Sequence, residues 1–395
     1  MTADQAGVVL LHQQYGPYHV ARARALETRL RGRVHFVQLA SNEQSHPWEV
    51  ADSSPHIRTV LPGAFEQLAG AKLASRLGAV LDTIRPDVVV IAGYAVPAMR
   101  EAARWCRRHD AASILLCDSH HVDRPRVRFK EWAKRVWISR HFQSAFTAGA
   151  SSAAYARDLG FATSQIWRGY DVVDNAFFEQ AATAGRARGQ LLFRKLGLPE
   201  HVFLYVGRFN HEKNLDGLLD AMQAYRRRSG ARAWGLLLVG DGPEREALEE
   251  RVRSVQPGVA MTGFKQASEL AELYGAASGF ILPSLSEPWG LVINEAMAAG
   301  LPILASDRVG AMFDLVFPGI NGYVFNPESR DDMVEAMLRL SSDQVDREAM
   351  GKASRRLVAG YTPETWAAAL TDCIEVTVAR RRERRGNAPS RHVEE

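Results

Sequence analysis

The sequence predicts an α/β protein built as two doubly wound domains in series, facing each other across a cleft. Three observations carry this expectation. Short continuous apolar runs alternate with helix-periodic segments from end to end, the alternation breaks once and then restarts, and 395 residues exceed what one hydrophobic core usually supports. With 46% hydrophobic and 24% charged residues, the composition is that of an ordinary globular chain.

In the first half the strand-sized runs are residues 8–12, 34–39, 87–92, 114–117 and 145–148. Between them, residues 20–30, 65–84, 98–108 and 126–142 repeat apolar side chains every three or four positions, the pattern of helices with one buried face. Residues 179–198 lose the strand signal and gain Ala, Gly and Arg. The interdomain connection is therefore expected there, with a first domain over 1–185 and a linker over 186–198. The alternation resumes at 202–206, 234–239, 259–262, 279–282 and 303–305, giving a second domain over 199–365. Residues 366–395 read as a helix returning to the first domain, followed by an Arg-rich tail. Ligands of such sheets bind beyond the carboxyl ends of the strands, so the cleft is the expected site.

Charge and cysteine usage narrow the function classes. The net charge of +4 hides an asymmetry: residues 1–195 hold 26 Lys and Arg against 17 Asp and Glu, a net of +9, and the remainder is net −5. The halves are thus expected to meet different partners. Cys106, Cys117 and Cys373 are too few and too far apart for a disulfide scaffold, and no spacing suits a structural zinc. The first residues lack the basic start of a secretory signal, and no run of about 18 apolar residues could span a bilayer. The chain reads as cytoplasmic, with contact at the inner face of the plasma membrane left open.

The richest stretch runs from Leu282 to Pro302: a strand, a loop holding Glu287, and a helix starting about Gly290 that Gly300 and Pro302 end. The N–H groups of Gly290, Leu291 and Val292 form a phosphate seat at the positive end of that helix. A carboxylate can accept from two adjacent hydroxyls, which suits Glu295 and Glu287 to hold polyols. A second stretch, residues 203–214, ends a strand at Gly207 and sets Arg208 and Lys213 around a turn before a helix capped by Asn214. A planar fork and a compact point charge both suit a diphosphate. Gly240, in Gly240-Asp241-Gly242-Pro243, is a further strand-end turn. No Walker-type loop is present, which disfavours P-loop hydrolysis. Taken singly, each of these charges would more often be a solvated surface group.

In this order, these elements resemble the nucleotide-binding half of the retaining family-four glycosyltransferases, whose GT-B fold has two Rossmann-like domains. The resemblance covers roughly residues 200–330. It implies that Arg208 and Lys213 bind the diphosphate of a nucleotide-sugar donor, that Glu287 contacts the sugar, and that Glu295 holds the ribose hydroxyls. Backbone near Phe264 and Lys265 would meet the base. In the first half the match is looser. Gly16 stands where the family keeps a glycine pair, but Pro17 follows it and removes one N–H donor. His120 takes the place of a histidine near the reacting sugar, with His121 as its rival. Val309-Gly310-Ala311-Met312-Phe313-Asp314 departs from the family's Gly-Gly and glutamate.

The resemblance further implies a UDP- or GDP-linked donor, retention of configuration, no cofactor and no metal. The acceptor would be a glycan or a lipid-linked molecule in polysaccharide or glycolipid synthesis. A sugar phosphorylase, a nucleotide-sugar epimerase and a non-catalytic nucleotide-sugar-binding subunit are the alternatives. Nucleic-acid binding is disfavoured, because the Arg-rich stretches lack a reader module. The helix at 126–142 is basic and sets Phe129, Trp132, Ala133, Val136 and Trp137 on one face. That face either meets an anionic membrane or packs on its own sheet.

Overall fold

The computed structural model describes residues 6–41, 56–68, 70–255 and 257–386. Met1–Gln5 and the expected tail beyond residue 386 lie outside the described residues.

Strands buried on both faces form only where helices cover both sides of a sheet. The strands of the first domain are β1 (Val8–His12), β2 (Val34–Gln38), β3 (Ile57–Thr59), β4 (Val88–Ala92), β5 (Ala112–Cys117), β6 (Ser144–Thr147) and β7 (Ile166–Arg168), the central β1, β4, β5 and β6 being the ones so buried. All their pairings are parallel, in the spatial order β3-β2-β1-β4-β5-β6-β7. Helices α1 (Pro17–Leu30), α2 (Gly70–Ile84), α3 (Pro97–Arg108), α4 (Arg128–His141) and α5 (Ala150–Asp158) connect them. Helix α6 (Asn175–Lys195) leads into the second sheet. There, β8 (Val202–Val206), β9 (Gly235–Val239), β10 (Val259–Thr262), β11 (Gly279–Leu282), β12 (Ile303–Ser306) and β13 (Gly322–Phe325) are again all parallel, in the order β10-β9-β8-β11-β12-β13. Its helices are α7 (Leu215–Ser229), α8 (Arg245–Val255), α9 (Ala267–Ala276), α10 (Leu291–Ala298), the short α11 (Met312–Leu315), α12 (Arg330–Ser341) and α13 (Arg347–Val358). The two-domain doubly wound architecture is as the sequence predicts.

The edge strands β3, β7 and β13 were not anticipated: they hold three or four residues, several of them half-exposed, too short for an apolar run to register. The helix expected over 65–84 begins instead with a 3-10 turn at Phe65–Gln67, and α2 follows.

The linker expected at 186–198 is corrected by the structure. Most of it lies inside α6, which buries Phe178, Ala182, Gly185, Gly189 and Phe193 at helical spacing. Gly and Ala are enriched there because α6 presses on α9, not because the chain is loose. A Cβ on Gly185 would lie 2.3 Å from Glu272 Cγ, and one on Gly275 would lie 2.0 Å from the Ala182 carbonyl oxygen. The chain passes between the sheets earlier, between β7 and the start of α6.

Helix α14 (Pro363–Gly386) returns to the first domain. Trp366, Leu370, Cys373 and Ile374 bury against the face of the first sheet that holds Val8, Leu10 and Phe146. The Thr377 and Ser144 hydroxyls meet at 2.6 Å. Part of the Arg-rich stretch is tied down: Arg380 donates to the Ser164 carbonyl at 2.9 Å, and Arg381 pairs with Asp110.

The packing alternative for the 126–142 helix fails at its amino end. Ile138 is the buried residue of α4, and Trp137 is half-buried against the core. Phe129 is 73% exposed and Trp132 60%.

Candidate functional site

In each sheet the winding direction reverses beside the first strand, between β1 and β4 and between β8 and β11. The loops leaving those carboxyl ends diverge there and open a crevice. In the second domain the loops after β8, β9, β10 and β11 build one cavity of about 470 Å³. Arg208, Lys213, Gly240, Phe264, Lys265, Glu287, Gly290, Leu291, Val292 and Glu295 all line it.

Backbone bonds fix the loops. The Phe209 N–H donates to the Asp241 carbonyl at 2.8 Å, and the Leu285 N–H to the Glu212 carbonyl at 2.8 Å. Gly240 has φ +148°, and a Cβ there would sit 1.9 Å from the Gly207 carbonyl oxygen, so only glycine fits. Gly290 precedes α10 at φ +95°, and with Leu291 and Val292, whose N–H groups belong to the unpaired first turn, it lines the cavity. Asn214 stands before α7 as expected, but in the left-handed region at φ +55°, and its side chain donates to the Pro327 carbonyl at 2.8 Å instead of capping the helix.

The charges fall into two groups. Arg208 is exposed at the cavity and forms no ion pair among the described residues. Lys213 and Glu287 pair with each other, both largely buried. An arriving diphosphate would meet one free guanidinium and one ammonium shared with a carboxylate. Glu295 is fully buried at the cavity floor. One of its oxygens accepts from the Tyr18 hydroxyl across the cleft, and the other from the Tyr274 hydroxyl at 2.8 Å. Burial pushes its pKa up to about 7 against the pull of both tyrosine hydrogen bonds.

The first domain closes the cavity from above. His120 is buried, and its Nε2 lies 2.9 Å from the Glu287 carbonyl oxygen. A carbonyl only accepts, so Nε2 carries the hydrogen. His121 points away and pairs with Asp158 on the surface at 2.7 Å. Of the two rivals, His120 is the one at the cleft. The Ser286 hydroxyl donates to the Asp123 carbonyl. Asp314, in the segment that departs from the family pattern, accepts from the Ala150 N–H at 2.8 Å and so caps α5 from across the cleft.

Gly16 is not brought into the cavity. It precedes α1, and its N–H donates to His19 Nδ1 at 3.1 Å, which leaves no donor for a phosphate. Tyr18, two residues on, reaches the cavity in its place. Sequence reasoning passed over Tyr18 and Tyr274, since a tyrosine in a first loop or on a helix carries no motif.

Residues 191–357 match the model of the family described as glycosyl transferases group 1. The chain is similar to the sulfoquinovosyl transferase SQD2 of Arabidopsis thaliana, with 31% identity over 304 residues, 74% of this chain and 55% of that protein. It is also similar to the alpha-D-kanosaminyltransferase of Streptomyces kanamyceticus, with 32% identity over 185 residues, 46% of this chain and 47% of that protein. The chain thus spans about half the length of the curated relatives it matches. Among solved structures it resembles HepE from Anabaena in complex with UDP and glucose, at a TM-score of 0.70 and 18% identity, covering 94% of this chain and 100% of that one.

Proposed function

From a chain that carries a group 1 glycosyl transferase region on a two-domain GT-B fold, we propose an enzyme that moves a sugar from a nucleotide diphosphate, UDP- or GDP-linked, to a hydroxyl of a glycan or lipid-linked acceptor. The observation that carries the reading is one cavity between the domains. It gathers Arg208, Lys213, Glu287, Glu295 and the first N–H groups of α10, a set with the chemistry of diphosphate and diol recognition.

In this reading Arg208, Lys213 and the amino end of α10 hold the diphosphate and stabilise the charge that grows as the anomeric C–O bond breaks. Glu287 orients the sugar. His120 takes a positioning role, fixing the Glu287 backbone from the acceptor side. The acceptor hydroxyl forms the new C–O bond on the face that the diphosphate leaves, and its proton passes to the departing phosphate oxygen. Configuration is then retained without a carboxylate nucleophile, and the fixed cations do the work of a metal. Domain closure excludes water. The product would serve polysaccharide or glycolipid synthesis on the cytoplasmic side of a membrane.

The test is slow hydrolysis of a panel of UDP- and GDP-sugars by the purified chain, followed by transfer with the donor so found. Arg208→Ala and Lys213→Ala are each expected to lower turnover at least tenfold, because a charge-assisted hydrogen bond contributes roughly 1.5–3 kcal/mol. Wild-type turnover by Arg208→Ala would sink the assignment. A requirement for free phosphate in place of nucleotide would favour a phosphorylase.

A further inference from the structure

A second cavity, of about 610 Å³, lies wholly in the first domain, beyond the carboxyl ends of β4 and β5 and under α4. Five cations line it: Arg100, Arg124, Arg126, Lys130 and Lys134. Asp118 is the carboxylate among its lining residues, and burial raises the pKa of that group. Three of the cations are committed. Arg124 and Arg126 pair with Asp123, and Lys134 pairs with Glu131. The other two are not. Arg100 donates only to the neutral carbonyls of Tyr94 and Ala95, and Lys130 forms no ion pair among the described residues. Positive charge without a carboxylate partner, beside a concavity, is what an anion needs.

The mouth of the same cavity is apolar. Phe129, in its lining, stacks on Trp132 with ring centroids 6.0 Å apart, and both rings are mostly in solvent. Val122 and Val127 are exposed nearby in sequence. Across the cleft, Phe313 is also exposed, and its ring lies 6.5 Å from that of His120. Of the large apolar side chains left exposed among the described residues, most fall in these two segments or at Phe317 and Ile320 just beyond Phe313. Clustering of this kind marks a binding surface more than chance exposure. The inner wall of the cavity, Asp118 and Ser119, runs directly into His120 and so to the donor side.

We propose that this cavity is the acceptor site and that it takes a lipid whose headgroup carries a phosphate, held by Arg100 and Lys130, with its apolar part on Phe129 and Trp132. The proposal rests on the glycosyltransferase reading for the word acceptor, but not for the binding itself. A soluble sugar phosphate would use the cations and leave the aromatic pair without a function. The lipid uses both, and α4 then lies against the membrane with its basic residues toward anionic headgroups.

The experiment is co-sedimentation of the full chain with vesicles of phosphatidylcholine alone, and with roughly one part phosphatidic acid to four of phosphatidylcholine, at low and high salt. Binding is expected only with phosphatidic acid, weakened by salt. Arg100→Ala/Lys130→Ala and, separately, Phe129→Ser/Trp132→Ser should each reduce it at least tenfold while keeping the wild-type melting temperature. Absence of wild-type binding at low salt, or wild-type binding by the Arg100→Ala/Lys130→Ala variant, would overturn the proposal. Binding of glycerol 3-phosphate by calorimetry, with sedimentation indifferent to the aromatic changes, would replace the lipid by a free phosphate ester. A wild-type chain that binds these vesicles yet turns over no UDP- or GDP-sugar would refute the proposed function and leave the lipid site standing.

Discussion

Glu295 holds two roles that compete. Its carboxylate suits a ribose diol, yet in this structure both oxygens accept from tyrosines and no part of the side chain meets solvent. Removing a carboxylate from water raises its pKa, here from the ordinary 4.5 to about 7. The folded value lies above the unfolded one, so the contribution to stability is intact below about 4.5 and is lost as pH rises through about 7. Glu295→Gln keeps the shape and cannot titrate. The stability of wild type relative to this variant should therefore fall between those pH values, by on the order of 3 kcal/mol. His12 and Asp171 are also shifted by burial, His12 down to about 3 and Asp171 up to about 7. Both remain in the variant, so the difference isolates Glu295. Chemical denaturation of the two proteins from pH 4.5 to pH 7.5 reads it directly. A difference flat with pH would mean that the carboxylate ionises normally behind its tyrosines.

At the scale of elements, the segment that resisted sequence reading is α6. Its Ala, Gly and Arg composition resembles a linker, because the pattern that identifies a helix is an apolar stripe. Here the stripe is partly glycine, chosen for closeness and not for hydrophobicity. Gly185, Gly189 and Gly275 let the α6 and α9 backbones touch, so that any added carbon meets main-chain or side-chain atoms within 2.0–2.4 Å. Gly275→Ala is expected to cost roughly 1–3 kcal/mol, since neither helix can retreat without opening the core behind it. The urea midpoint should drop with an unchanged slope, and nucleotide binding at saturating concentration should persist. A midpoint equal to wild type would mean that the two helices slide freely. By contrast, β8, β9, β11 and α10 were legible from sequence, because their apolar runs, strand-end glycines and Gly300-Leu301-Pro302 stop are all encoded within a few residues of one another.

That distinction scales to the whole molecule. The lining of the second-domain cavity was legible where it comes from loops of one sheet that carry their own local patterns. What closes the cavity was not legible, because it depends on contacts between residues far apart in the chain, such as Tyr18 with Glu295 and Asp314 with Ala150. These contacts join domains connected by only two passages of the chain, before α6 and before α14. Any separation of the domains has to break these cross-cleft bonds. Tyr18 sits on the very carboxylate that a ribose diol would use under the proposed function, and a donor bound in that way would have to break this bond. Tyr18→Phe removes the competitor and a bond of closure together. If the donor reading holds, UDP or GDP should bind the variant more tightly, roughly two- to tenfold, the worth of one net hydrogen bond. Small-angle scattering of the nucleotide-free variant should show a larger radius of gyration than wild type, and saturation with nucleotide should bring the two together. Weaker nucleotide binding by Tyr18→Phe would assign the tyrosine hydroxyl to the donor itself. Glu295 would then hold the tyrosine in place for the nucleotide instead of holding the ribose.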